Sequence, residues 1–150
     1  TTHLMCASMM NMDFQSKRVL DMGSGTGVLA ILAEKRGATD IVAIDIEEWS
    51  AENCADNAAK NGCQNIQSLH GGMEVIPNEP FDFILANINK NVLTAQMSTY
   101  VDRMKDGAHL FLSGFFVSDT DELKLLASGL KLQFQEQHER EGWAVLLFKK

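Results

Sequence analysis

Val19-Leu20-Asp21-Met22-Gly23-Ser24-Gly25-Thr26-Gly27-Val28-Leu29-Ala30 reads as an apolar strand that breaks into a glycine-rich turn and reopens as a helix. Glycine at 23, 25 and 27 removes three Cβ atoms, which permits positive φ and lets a ligand lie against backbone N–H groups at a helix N-terminus. Asp21 adds a carboxylate at the strand's end. Eighteen residues after Gly27, a second apolar run, Ile41-Val42-Ala43-Ile44, ends in Asp45. An open α/β sheet places there the acid that accepts the hydroxyls of a ribose. A glycine-rich turn alone could be an ordinary tight connection between strand and helix. The second acid at this distance favours a cofactor site over that simpler reading.

The spacing is G-x-G-x-G, whereas the dinucleotide fingerprint is G-x-G-x-x-G, with its third glycine one position later. A pyrophosphate would also meet the carboxylate of Asp21, which instead suits a cationic ligand end such as an α-ammonium group. The pattern Asp-x-Gly-x-Gly-x-Gly followed by Asp45 resembles that of the Rossmann-like class I methyltransferases. The resemblance implies S-adenosylmethionine as cofactor.

The chain is 150 residues long, 45% hydrophobic and 22% charged, which suits one globular domain with a real core. Pro77 and Pro80 are its only prolines and mark a short loop. No apolar run approaches the ~20 residues of a membrane span, and no signal segment opens the chain, so a cytoplasmic protein is expected. Cys6, Cys54 and Cys63 lack C-x-x-C spacing, and His3, His70, His109 and His138 are scattered, so neither a disulfide framework nor a metal site is expected. The net charge of −7 opposes binding to nucleic acid phosphates and suits a basic partner, although acidity also serves solubility alone.

The periodicity predicts a helix over 2–12, a strand over 18–22, a helix over 27–36 stopped by Gly37, and a strand over 40–45. A helix over 50–61 and a short strand over 65–69 follow. Next come a strand over 81–86 ending in Asn87, a helix over 92–104, a turn at Lys105-Asp106-Gly107, and a strand over 108–113. A helix over 119–128 capped by Gly129 precedes two strands, 132–139 and 143–148. Only the short turn Glu141-Gly142 separates them, so they form a hairpin and the last strand runs antiparallel to its neighbour. The expected fold is α/β: a seven-stranded, mostly parallel sheet with a C-terminal antiparallel hairpin and helices on both faces.

Methyl transfer from a sulfonium is an in-line displacement that depends on positioning, with acceptors that hold an incoming amine lone-pair forward. Asn87 is the candidate catalytic residue and a candidate cofactor contact, because open α/β sheets present such groups at the carboxyl ends of their strands. The carbonyl of Ile88 is a second candidate acceptor. The simpler reading of Asn87 is a helix N-cap. Gly71-Gly72-Met73 follows the third strand; Gly72 allows close approach and Met73 a soft apolar cover for adenine, though a plain loop with core filler reads equally well. Trp49 reads as part of a helix start and Trp143 as a core strand residue, and neither is taken as a stacking platform.

Thr1-Thr2-His3-Leu4, the glycine turn, Ala43-Ile44-Asp45-Ile46, Ala86-Asn87-Ile88 and Leu112-Ser113-Gly114-Phe115 together resemble successive motifs of the ribosomal protein L11 methyltransferase family. The likeness runs nearly the whole length. It implies that Thr2, Gly23, Asp45 and Asn87 contact the cofactor, and the candidate cofactor set is Thr2, Asp21, Gly23, Gly25, Gly27, Asp45, Ile46, Gly72, Met73 and Asn87. It further implies a catalytic domain over 1–150 that methylates lysine or N-terminal amino groups of a basic ribosomal large-subunit protein, with no membrane or direct nucleic-acid partner. In the family a Gly-Thr-Gly loop and a substrate-presenting domain precede the Thr-Thr pair, and these are expected to lie outside this chain. Two stretches depart from the pattern: Ile46-Glu47-Glu48-Trp49 stands for an acid-proline step, and Asn89-Lys90-Asn91 for a more apolar continuation.

Two rivals share the cofactor turn. One is a small-molecule or nucleic-acid N-methyltransferase, against which the missing Pro-Pro-aromatic after Asn87 argues. The other is a cofactor-binding module that is inactive alone.

Overall fold

A computed structural model describes residues 1–150. The strands are β1 (Arg18–Met22), β2 (Asp40–Asp45), β3 (Ile66–His70), β4 (Phe81–Asn87), β5 (Met104–Phe116), β6 (Gln133–Arg140) and β7 (Trp143–Lys149). The helices are α1 (Thr2–Met9), α2 (Val28–Lys35), α3 (Glu48–Lys60), α4 (Lys90–Asp102) and α5 (Thr120–Gly129). The seven strands form one sheet in the order β3-β2-β1-β4-β5-β7-β6. β7 runs antiparallel to both β5 and β6, and every other pairing is parallel.

Alternation along the strands builds two cores, one on each face of the sheet. Leu20 and Met22 of β1, Val42 and Ile44 of β2 and Ile84 of β4 point to one side, where Leu93, Met97 and Tyr100 of α4 and Leu123 of α5 cover them. Val19, Ile41, Ala43, Phe83 and Leu85 point to the other side, beneath Met5 and Met9 of α1, Leu29, Ala30 and Ala33 of α2, and Cys54 of α3. Helix α1 therefore lies across the sheet, and Arg36 fastens its far end by donating to the carbonyls of Met10 and Met12. No helix is long and apolar enough to cross a membrane.

Four expectations shift. The residues read as a turn, Lys105-Asp106-Gly107, lie within β5: Met104 pairs with Phe81 and His109 with Phe83, so the turn signal marks a bulge and the strand begins earlier than 108. The preceding helix, α4, consequently ends at Asp102, and the Asn89 cap starts it at Lys90. Gly129 is the last residue of α5, and the left-handed conformation after that helix falls to Lys131, with φ 65°. Helix α3 begins at Glu48, so exposed Glu48 and Trp49 join its first turn.

The strand order reverses at β1, whose neighbours are β2 on one side and β4 on the other. At such a switch point the connections leave in opposite directions and open a crevice at the carboxyl ends of the strands. Met22 pairs with Ile44 and with Ala86, so the residues that follow in β1, β2 and β4 come together there.

Candidate active site

The glycine turn leaves β1 and is held by its neighbour before it reaches α2. Gly23 and Ser24 donate their N–H groups to the Ile44 carbonyl at 2.8 and 3.1 Å. Gly25 donates to Asp45 Oδ2 at 2.8 Å, and Glu47 donates to Asp45 Oδ1 at 2.9 Å. The turn's amides thus brace the loop more than they face a ligand. All three glycines have positive φ, at 71°, 52° and 84°. Their reasons differ: a Cβ at Gly23 would overlap the Ile88 side chain, and one at Gly27 would come within 2.7 Å of Cys54 Sγ, whereas one at Gly25 would meet open space. Gly25 is the position over which a ligand has room.

Asp21 does not stand at the surface. It is 1% exposed, with Oδ2 accepting the Ala30 N–H in the first turn of α2 at 3.2 Å and Oδ1 without a partner. Burial pushes its pKa from 3.8 to about 7; the Ala30 N–H opposes the rise and the charge of Asp45 adds to it. A carboxyl in this position gains its charge most readily when a cation arrives.

Asn87 ends β4 next to the turn. The cap of α4 is Asn89, whose side chain accepts the Val92 N–H at 3.1 Å, so the N-cap reading of Asn87 is excluded. Asn87 Nδ2 instead donates to Thr2 Oγ1 at 3.1 Å, while its Oδ1 is buried without a partner. The first turn of α1 is thereby brought onto the crevice. Ile88 is wedged between two glycines, its side chain against Gly23 and its backbone N 2.9 Å from where a Cβ on Gly114 would lie.

On the other side of Asp45, Gly71 donates to the Asp45 carbonyl at 2.9 Å and leads into Gly72 and Met73. Ile46, next in the chain to Asp45, is 71% exposed, and Met73, three residues past the His70 that pairs with Asp45, is 36% exposed. Gly72 N–H is taken by Glu74 at 2.7 Å. A cleft of ≈ 540 Å³ opens past Asn87, between Asn89–Asn91 and Gly114–Phe116, with Trp143 on its wall. Trp143 is only half-buried and lies against Phe116 with ring centroids 4.3 Å apart. Sequence reasoning set Trp143 aside as core; the signal that could have found it was the hairpin, which carries Trp143 back into register with Phe116. A cavity of ≈ 320 Å³ around Asp82 and His109 lies at the opposite, amino end of β4, away from the crevice where open sheets bind ligands.

These features fit an adenosyl ligand with an amino-acid end. Asp45 still has lone pairs for a diol, Ile46 and Met73 offer an apolar bed for a flat ring, and three buried atoms, Asp21 Oδ1, Ser24 Oγ and Asn87 Oδ1, lack partners around the turn. No group of three His, Cys, Asp or Glu residues gathers in a way that could hold a metal ion.

The sequence model of the ribosomal protein L11 methyltransferase family (PrmA) matches residues 1–150. A Porphyromonas gingivalis protein named ribosomal protein L11 methyltransferase is 44% identical over 149 residues, covering 99% of this chain and 51% of its own length. The crystal structure of ribosomal protein L11 methylase from Lactobacillus delbrueckii subsp. bulgaricus superposes with a TM-score of 0.93 at 25% identity, covering 99% of this chain and 77% of that one. Magnesium protoporphyrin IX methyltransferase from Synechocystis, solved with S-adenosylmethionine bound, gives a TM-score of 0.81 at 13% identity over 99% of this chain and 77% of its own, a likeness of fold alone. The chain spans about half the length of the curated relatives it matches.

Proposed function

The chain belongs to the ribosomal protein L11 methyltransferase family, and from that membership we propose that it transfers methyl groups to amino groups of a ribosomal large-subunit protein, L11. S-adenosylmethionine is the cofactor and supplies, when bound, an electrophilic methyl on a sulfonium. In this reading Asp45 accepts the ribose hydroxyls, Ile46, Gly72 and Met73 border the adenine, and Gly23, Gly25 and Gly27 shape the turn beneath it. Thr2, Asp21 and Asn87 face the amino-acid end.

The observation that carries the reading is the unpartnered Asn87 Oδ1, buried at the end of β4 while its amide is fixed on Thr2. An acceptor held in this way orients an N–H and leaves the nitrogen lone pair to point elsewhere. The orienting acceptor favours an amine, from a lysine or a chain N-terminus, as the methyl acceptor. The net charge of −7 complements a basic substrate.

We assign to residues 1–150 the role of catalytic domain, and delivery of the substrate to sequence that the relatives carry outside the matched stretch. A flexible amine must be aligned within ~3–3.5 Å of the methyl carbon, and a docking element lowers that ordering cost. Transfer of a labelled methyl group to isolated L11 tests both parts. The chain joined to the remainder of a relative's sequence is expected to turn over faster than the chain alone, and Asn87→Ala in the joined protein to lower turnover more than it weakens cofactor affinity. Full turnover by Asn87→Ala would remove Asn87 from the mechanism, and equal rates for the two proteins would remove the docking role.

A further inference from the structure

Helix α3 reaches the glycine turn twice, from residues three apart on one face. Cys54 lies so close to Gly27 that a Cβ there would be 3.3 Å from the Cys54 Cα as well as 2.7 Å from its sulfur. One turn on, Asn57 Nδ2 donates to the Thr26 carbonyl at 2.9 Å. Because the partner is a carbonyl oxygen, the NH₂ of the carboxamide is the group that faces it. Thr26 stands between Gly25 and Gly27, so this bond fixes the peptide between Thr26 and Gly27. One residue earlier, Asp45 at the end of β2 accepts the N–H of Gly25. The turn is thus held at two separate peptides.

The grip matters because alternate glycines give this segment more conformational freedom than any other residue type would. Freedom lost on ligand binding is subtracted from affinity, and freedom already removed by the fold is not. We propose that Asn57 is a positioning residue for the cofactor turn: its carboxamide presets the Thr26–Gly27 peptide in the shape that receives the cofactor. This rests on the cofactor reading above. Neither the glycine motif nor the acid of β2 involves Asn57, which acts on the site only through Thr26.

A control lies on the same pair of helices. Lys35, at the far end of α2, donates to the Asn61 carbonyl at the end of α3 at 2.6 Å, joining the two helices away from the turn. The test is calorimetric titration of S-adenosylhomocysteine into the chain and its Asn57→Ala, Asn57→Asp and Lys35→Ala variants, with amide exchange followed at Gly25–Gly27. Asn57→Asp keeps the shape and removes the donor. Both Asn57 variants are expected to raise Kd about three- to tenfold, the scale of one hydrogen bond, and to speed exchange in the turn. Lys35→Ala is expected to leave Kd and turn exchange unchanged. Parental affinity in Asn57→Asp overturns the proposal, as does an equal loss in Lys35→Ala, which would mark a general effect of helix packing. If the unsubstituted chain fails to bind S-adenosylhomocysteine, the cofactor reading falls and the proposal with it, a result distinct from failure in the variants alone.

Discussion

At Asp45 each carboxylate oxygen holds a backbone amide, one from the glycine turn and one from the start of α3, before any ligand is considered. Asp45→Ala is therefore expected to weaken binding of S-adenosylmethionine by about 1.5–3 kcal/mol, the range for hydrogen bonds to a charged group, as read by calorimetry. Unchanged affinity would reduce Asp45 to a loop brace. Asp21 predicts a pH dependence. The unfolded chain releases this proton near 3.8 and the folded chain holds it to about 7, so between those values the folded form is the richer in protons. Stability contributed at this site falls as pH rises through that window and levels above it. Asp21→Asn removes the titration, so urea midpoints of variant and parent should diverge from pH 4.5 to pH 7, with the variant gaining. Parallel curves would show that Asp21 does not titrate there. The sequence placed Asp21 at the strand's end but could not show on which side of the turn its carboxyl lies; the pleat of β1 turns it toward α2, away from solvent.

The elements that frame the crevice depend on two glycines that do different work. Gly142 follows Glu141 in the hairpin between β6 and β7, both with positive φ, 82° and 52°, as a two-residue turn of this hand requires. A Cβ on Gly142 would meet nothing. Gly114, with φ 96°, is the extra residue where the pairing of β5 with β7 shifts register, and a Cβ there would run into the backbone of Ile88. Gly142→Ala should cost only the conformational penalty of about 1–2 kcal/mol. Gly114→Ala adds a collision with backbone and is expected to cost about 2–5 kcal/mol in all, and to displace Asn87. Equal losses in denaturant midpoints would contradict the bulge's role. The hairpin was legible because Glu141-Gly142 leaves no room for a crossover. The bulges were less so: the turn chemistry of Lys105-Asp106-Gly107 looks the same whether the chain ends a strand there or swells out of one, and only the pairing of Met104 with Phe81 decides.

At the scale of the molecule the reversal of strand order at β1 opens the crevice, and a ligand held there should stabilise the whole fold. S-adenosylmethionine at ~100 times its Kd adds about 2.7 kcal/mol, or about 5–10 °C in Tm for a domain of this size. Nicotinamide dinucleotide should leave Tm unchanged, and the reverse pattern in thermal melts would overturn the choice of cofactor. Seven strands and their alternation with helices were readable from periodicity, as were the turn and Asp45, because those signals are local. The bond from Asn87 to Thr2 spans 85 residues of sequence and needs α1 folded across the sheet, which no local pattern encodes; Thr2 was reachable only through family likeness. The placement of β7 between β5 and β6 was likewise open, since a hairpin fixes direction and not which strand lies inside. That placement has a consequence for how the chain is made. On the ribosome β6 emerges before β7, the strand that separates it from the rest of the sheet, so it waits with its hydrogen-bonding edges bare while its one partner is still being synthesised. Such an interval invites pairing with other nascent chains. The composition of β6, Gln133-Phe134-Gln135-Glu136-Gln137-His138-Glu139-Arg140, nearly all exposed even in the finished fold, is that of a segment protected during the wait by charge and polarity. Replacing Glu136 and Glu139 with valine would leave the pairing intact on paper and remove its escort during biosynthesis.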